Sequence, residues 1–363
     1  MGIEAKRVMK RRNACSCSMP GVWRAVSYVE GAVVIFHSPR ACAHVARRMD
    51  INSYYRNLTT ALGECQLQTT PLLSTDLEED EAVFGGENRL RRTIRYAVET
   101  YHPRAIFIAN SCVSGVIGDD TEAVAAEMEE EMGIPVMAVT AHGFLDGEYF
   151  KGYIDAARLL ADRFMKSQPK EPGTVMLVGD CGGIYGEYVQ TLSKLLTHFS
   201  LRITAHFPSF LSLDALEKAS SASLIIVLGR RAEDSRQKML IELAEEIGRR
   251  FDMPVLGDIY PIGFQKTLAW LRRLGEVTGD TAAADRAVAA EEAAFAAGRK
   301  SLAGTKTVFC AGRMAQYFQP DELFFLLNQL EVELLGVQLF DCYSDEEREK
   351  ILREVRRCTS APL

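Results

Sequence analysis

No apolar run in the sequence approaches the ~18 residues that a membrane-spanning helix requires, so no transmembrane segment is expected. The opening residues, 1–13, are basic but lack the apolar stretch of a secretory signal, which predicts a cytoplasmic protein. There is no phosphate-binding loop ending in Lys-Ser/Thr, so any ATP used in the function is expected on another protein. Cys-x-x-Cys pairs and a His-Glu-x-x-His motif are also missing, which argues against a zinc ribbon or a zincin. Nor is there an excess of positive charge. With 42 Lys and Arg against 49 Asp and Glu, the net charge is −7, which argues against general nucleic-acid binding.

The 363 residues are 47% hydrophobic and 25% charged, the balance of a soluble globular chain, and are too many for one ordinary core. Cysteine is plentiful. Nine of them, an odd number without an export signal, argue against a disulfide framework and direct attention to metal or catalytic roles. Cys15, Cys17, Cys42, Cys65 and Cys112 crowd the first third, while Cys181, Cys310, Cys342 and Cys358 are scattered later.

Short β-rich runs alternate with helix-like patterns along the chain, which predicts α/β architecture with parallel sheets covered on both faces. Strands are expected at 31–36, 69–76, 104–109 and 134–140, with helices at 42–49, 87–101, 121–132 and 152–166. The stretch 168–173 has the composition of a linker. Beyond it a second alternating unit is expected, followed by an alanine-rich helix at 281–297 and a third, short unit from residue 304. These patterns divide the chain into an α/β domain at 1–167, a second Rossmann-like domain at 174–265, and a helical connection with a shortened third α/β domain at 266–363.

Cys42 and Cys112 both fall where a predicted strand gives way to a loop or helix start, the usual place for chemistry in an open α/β sheet. Taken alone, Cys112 also reads as a small buried residue beside a turn, and Asp119 and Asp120 as a helix N-cap and first turn. Cys17, Cys42 and Cys112 together are soft thiolates on separate segments, a set that suits an iron–sulfur cluster built by folding. Three thiolates leave a cubane one ligand short. Water, a carboxylate, Cys15 or a residue of a second subunit are the options for the fourth, and Cys65 is a reserve.

The loop at 179–186 lacks dinucleotide spacing, so tight-turn packing or a cofactor wall is preferred there to nucleotide binding. His142 and His206, at strand ends, are candidate proton donors or structural histidines. Cys181 and Cys310 read equally as cavity-lining ligands or small core residues. Arg40, Arg47 and Arg48 offer a basic surface for an electron donor.

The front third resembles the nitrogenase component 1 family and its reductase relatives. Cys17-Ser-Met-Pro-Gly21 is similar to that family's first cluster cysteine and downstream glycine, and His37-Ser-Pro-Arg-Ala-Cys42 to its His-Gly-x-x-Gly-Cys block. Ser111-Cys112 with Val116-Ile-Gly-Asp-Asp120 resembles the third cysteine and its tail, and Thr75-Asp76 with Val83-Phe-Gly-Gly86 the acidic and Phe-Gly-Gly segment between them. The resemblance implies two to three Rossmann-like parallel-sheet units of the nitrogenase component 1 type, the third shortened. It implies a [4Fe–4S] or larger eight-iron cluster on Cys17, Cys42 and Cys112 at a subunit interface, in a homodimer or pseudo-symmetric heterodimer. It also implies a separate nitrogenase reductase-like ATPase as electron donor.

The chain departs from that pattern in places. Ser38 and Ala41 replace the block's two glycines, and Gly229-Arg230-Arg231 stands where nitrogenase has its cofactor cysteine. No histidine follows Gly143-Phe144 in the region of the nitrogenase active-site histidine. The expected function is therefore the catalytic subunit of a nitrogenase-like reductase acting on an unsaturated substrate such as a tetrapyrrole, comparable in size to the nickel-sirohydrochlorin reductase subunit. The alternative is a scaffold for assembly of a nitrogenase-type iron–sulfur cofactor.

Overall fold

The computed structural model describes residues 17–48, 69–145, 148–180, 186–229, 232, 234–311, 320–339 and 345–358. The chain divides into two compact units, residues 1–257 and 258–363.

The first unit opens with helix α1 (Met19–Val26), a short strand β1 (Val29–Glu30) and strand β2 (Ala32–His37). Helix α2 (Arg40–Arg48), strand β3 (Leu72–Ser74), helix α3 (Glu79–Phe84) and helix α4 (Glu87–Tyr101) follow. Strand β4 (Ala105–Asn110), helix α5 (Cys112–Ile117), helix α6 (Thr121–Met132), strand β5 (Val136–His142) and helix α7 (Tyr149–Phe164) complete the front half. The four main strands form a parallel sheet in the order β3-β2-β4-β5. Every residue of β2 and β4 is buried, as expected for continuous apolar runs covered on both faces.

Helix α4 turns Leu90, Ile94 and Ala97 onto one stripe, and α6 adds Val124, Ala125 and Met128. With Val33, Ile35, Ile106 and Ile108 they make the core on one face of the sheet. The opposite face, Val34, Phe36, Phe107 and Ala109, packs on α1 and α7 in a core that runs on into the second sheet.

That second sheet is built from strand β6 (Glu171–Val178), helix α8 (Glu187–Thr197), strand β7 (Arg202–Phe207), strand β8 (Leu211–Ser212) and helix α9 (Leu213–Lys218). Strand β9 (Ala222–Val227), helix α10 (Ser235–Phe251) and strand β10 (Val255–Leu256) follow. Its parallel order is β10-β9-β6-β7, and β8 pairs instead with β1.

The segment 168–173, expected as a linker, supplies the start of β6, with Glu171 in register with Ala222. Lys166 and Gln168 bond to Glu217, and Lys170 donates to the carbonyls of Ser220 and Ala222. Those contacts hold a Pro- and Lys-rich stretch against its neighbour, which composition alone does not reveal. Strand β10 is only two residues long.

In the second unit, helix α11 (Phe264–Thr278) packs on the alanine-rich helix α12 (Thr281–Leu302). Strand β11 (Lys306–Ala311), helix α13 (Pro320–Gln329), strand β12 (Glu333–Leu339) and helix α14 (Asp345–Cys358) follow. The two strands are parallel, and Phe324, Val337 and Val355 form a small core against Phe309. No described helix is long and apolar enough to cross a membrane.

Candidate functional site

In the first sheet the chain lays β3 on one side of β2 and then crosses to lay β4 on the other. The connections leaving β2 and β4 therefore run to opposite sides, which makes their carboxyl ends the topological switch point, the place where open α/β sheets bind ligands. Cys42 lies in the first turn of α2, just past β2, and Cys112 is the first residue of α5, just past β4. The two strands run in register to their last residues, His37 opposite Asn110. Cys17 lies two residues before α1, with Ser18 between them. All three cysteines are half-buried and free of disulfides.

Gly143 joins two of these segments. Its carbonyl accepts hydrogen bonds from the Ser18 amide at 3.1 Å and the Ser18 hydroxyl at 3.2 Å, next to Cys17. Its α-carbon lies against Cys112, so close that a Cβ would stand 2.7 Å from the Cys112 nitrogen. Its φ of +55° is in the left-handed region.

Burial pushes the Cys17 thiol up to about 11; a hydrogen bond from the Met19 backbone offsets part of this, and the charges of Cys42 and Cys112 add to it. Cys42 is also raised, first by burial, against a hydrogen bond from Ser38, and further by Cys112. The three sulfurs are thus near enough for each thiolate to oppose another. Burial and neighbouring charge thus keep the Cys17 and Cys42 thiols protonated, and a positively charged centre would favour their thiolate forms. Among the described residues, no three His, Cys, Asp or Glu side chains are drawn together tightly enough for a single metal ion. A cluster asks for something different, one thiolate at each of several iron corners, and the donor set of Cys17, Cys42 and Cys112 fits that chemistry.

Behind Cys42 and Cys112 lies a buried polar network. His37, at the end of β2, places Nε2 2.8 Å from Asp119 Oδ2 and Nδ1 3.1 Å from Thr75 Oγ1. Burial pulls the His37 pKa down against the opposing pull of Asp119, which favours the neutral ring. A carboxylate only accepts, so Nε2 carries the proton and Nδ1 accepts from the Thr75 hydroxyl. The other Asp119 oxygen accepts from the Gly86 amide at 2.9 Å. Gly86 has no room for a side chain, since a Cβ would lie 2.8 Å from Asp119 Oδ2 and 2.9 Å from His37 Cε1.

Of the two adjacent acids, only Asp120 caps α6, accepting from the Ala123 amide at 2.9 Å. Asp119 instead joins the network. Nothing in a one-dimensional pattern distinguishes a capping acid from its neighbour, but the recurrence of His37, Gly86 and Asp119 in three separate motifs was the available signal.

His142 ends β5 opposite Asn110 and is half-buried. His206 lies in β7, with Nε2 3.0 Å from the Gly179 carbonyl oxygen. Beside it is a buried ion pair that sequence reasoning missed, between Arg24 of α1 and Asp180 after β6. Cys310 is exposed on β11 of the second unit. Cys15, Cys65 and Cys181 lie outside the described residues.

Comparison with known proteins follows the same lines. A nitrogenase iron-molybdenum cofactor biosynthesis protein NifE from Sinorhizobium fredii is 26% identical over 344 residues, covering 90% of this chain and 64% of that protein. A nitrogenase molybdenum-iron protein alpha chain from Methanosarcina barkeri is 27% identical over 257 residues, covering 67% of this chain and 46% of that one. The chain thus spans less than two thirds of the length of these relatives. The structure of nitrogenase Cp1 at pH 6.5 superposes with a TM-score of 0.64 at 21% identity, over 96% of this chain and 68% of that one, and so shares the fold. The model of the nitrogenase component 1 type oxidoreductases matches residues 17–359, and the chain belongs to that family.

Proposed function

We propose that this chain is the iron–sulfur subunit of a nitrogenase-like reductase, taking low-potential electrons from a separate ATP-dependent protein and passing them to an unsaturated substrate. The observation that carries this reading is the placement of three half-buried cysteines, free of disulfides, two at the strand ends of the switch point of a parallel sheet and the third on the segment that Gly143 ties beside them. Cys17, Cys42 and Cys112 would hold the cluster, a [4Fe–4S] or larger eight-iron centre, whose chemistry is one-electron storage and transfer. Around it, this chain's residues exclude water, fix the cysteine-bearing strand ends and supply buried histidines.

A second subunit completes the proposed site. Val45, Val83, Phe84, Val116, Phe144 and Leu145 are each more than half exposed, and they lie on the segments that carry or adjoin the cysteines. Apolar side chains so placed suit burial against a like surface, in a homodimer or a pseudo-symmetric heterodimer. The exposed Arg40 beside them is part of the proposed docking face for the donor.

A second reading is favoured by the names of several relatives, which are cofactor biosynthesis proteins. On it the chain holds an iron–sulfur precursor during assembly and hands it on. Anaerobically purified chain should contain iron and sulfide and give a paramagnetic signal on reduction, lost in the Cys17→Ala, Cys42→Ala and Cys112→Ala variants. Full retention in all three sinks the ligand assignment. Substrate-dependent reoxidation in the presence of the donor protein and ATP supports the reductase, and transfer of iron and sulfide to an apo-protein supports the scaffold.

A further inference from the structure

The network behind the cysteines is continuous. Asp119 meets His37, His37 meets Thr75, and Thr75 Oγ1 accepts from the Ser38 amide at 3.0 Å. The Ser38 hydroxyl in turn donates to the Pro39 carbonyl at 3.0 Å, and that carbonyl also accepts from the Cys42 amide at 3.1 Å. In the other direction, the His37 carbonyl accepts from the Ser111 amide at 3.2 Å, directly before Cys112. His37 is fully buried, and the Asp119 side chain is only 3% exposed, so neither bond competes with water.

We propose that Asp119 is the positioning residue of the cysteine site: through His37 it locks together the strand ends bearing Cys42 and Cys112, and so sets the thiols in place before any cluster is bound. This rests on reading Cys17, Cys42 and Cys112 as ligands. The lock needs geometry rather than charge. An asparagine at 119 can accept from the Gly86 amide and donate to His37 Nε2 once the ring adopts its other tautomer, with Nδ1–H donating to Thr75. An alanine can do neither, and leaves the Gly86 amide and the His37 ring without their partner.

The full-length chain, freed of iron and kept anaerobic, is treated with a thiol-alkylating reagent, and modification of each cysteine is followed by peptide mass spectrometry. Asp119→Ala should speed alkylation of both Cys42 and Cys112 by about tenfold or more, as local opening becomes easier. Asp119→Asn should stay within about twofold of the unmodified chain, because the bridging hydrogen bonds are retained. Thr75→Val cuts the network between His37 and Ser38 and should expose Cys42 while sparing Cys112. When ferrous iron and sulfide are titrated in, Asp119→Ala should bind iron about tenfold or more weakly than the unmodified chain, the usual order of effect for a residue supporting ligands, and Asp119→Asn should load normally.

Unchanged alkylation in Asp119→Ala overturns the proposal. So does an Asp119→Asn variant as reactive as Asp119→Ala, or equal exposure of both cysteines in Thr75→Val, which would be general loosening. Should Asp119→Ala fail to fold, the other two variants still decide. An unmodified chain that takes up no iron removes the ligand reading alone, because the alkylation rates test the positioning without it.

Discussion

The guanidinium of Arg24 is paired with the carboxylate of Asp180, both side chains nearly buried at 8% and 9% exposed. Helix α1, which begins two residues after Cys17, is thereby tied by charge to the carboxyl end of β6 in the second sheet. A buried pair owes its balance to both partners. Removing one leaves an uncompensated charge, which typically costs about 3–5 kcal/mol. Arg24→Met should therefore lower the urea midpoint sharply, and adding Asp180→Leu to it should recover much of the loss. A double variant no better than Arg24→Met would show that the two charges are not coupled.

Close backbone approach governs the same helix. A Cβ on Gly21 would lie 1.8 Å from the Tyr149 carbonyl oxygen, and one on Gly152 2.1 Å from that of Ser18. Alanine at either position must drive α1 and α7 apart, an overpacking expected to cost about 1–3 kcal/mol. Thermal melting reads the loss, and faster alkylation of Cys17 reads the displacement of α1.

Gly143→Ala meets two obstacles, a left-handed φ of +55° and the Cys112 nitrogen at 2.7 Å. The conformation alone costs a non-glycine residue roughly 1 kcal/mol, and the contact adds to it. Reduced stability together with faster alkylation of Cys112 is the expected pair of effects. Normal thiol reactivity would mean that Gly143 does not support that cysteine.

His206 supplies a pH signature. Its pKa is lowered, first by burial, against the attraction of Asp180 and the bond to the Gly179 carbonyl, with Arg24 pushing the same way as burial. Phe210 packs beside the ring. Because the folded pKa lies below the unfolded value of about 6.5, the unfolded chain binds more protons as pH falls. Stability is then fully present above about 6.5 and declines as pH drops through that value. Urea midpoints taken from pH 7.5 downward should fall less steeply in His206→Phe than in the unmodified chain.

The buried strands were legible because β2 and β4 are apolar without interruption, and that is what a sheet covered on both faces requires. Strand order was not written locally. Cys42 and Cys112 could be placed at strand ends, but that they flank one switch point follows only from β3 and β4 taking opposite sides of β2. Helix α1 was hidden by Pro20-Gly21, which reads as a turn; here Pro20 occupies the first helical turn and Gly21 admits the backbone of α7. Helix α5 was hidden by its length and by Gly115, and reveals itself through the Ser111 cap on Ser114. Arg24 and Asp180 carry no pattern at all, because an ion pair between distant segments leaves no periodic trace.

The hydrogen bond from Ser18 to Gly143 spans 125 positions of chain. A growing polypeptide that has exposed Cys17, Cys42 and Cys112 still lacks the segment that anchors the first of them beside the third. On the proposed ligand set, the three thiols could share one cluster only after the last strand of the first sheet docks, so metal supplied earlier in synthesis would meet separate cysteines.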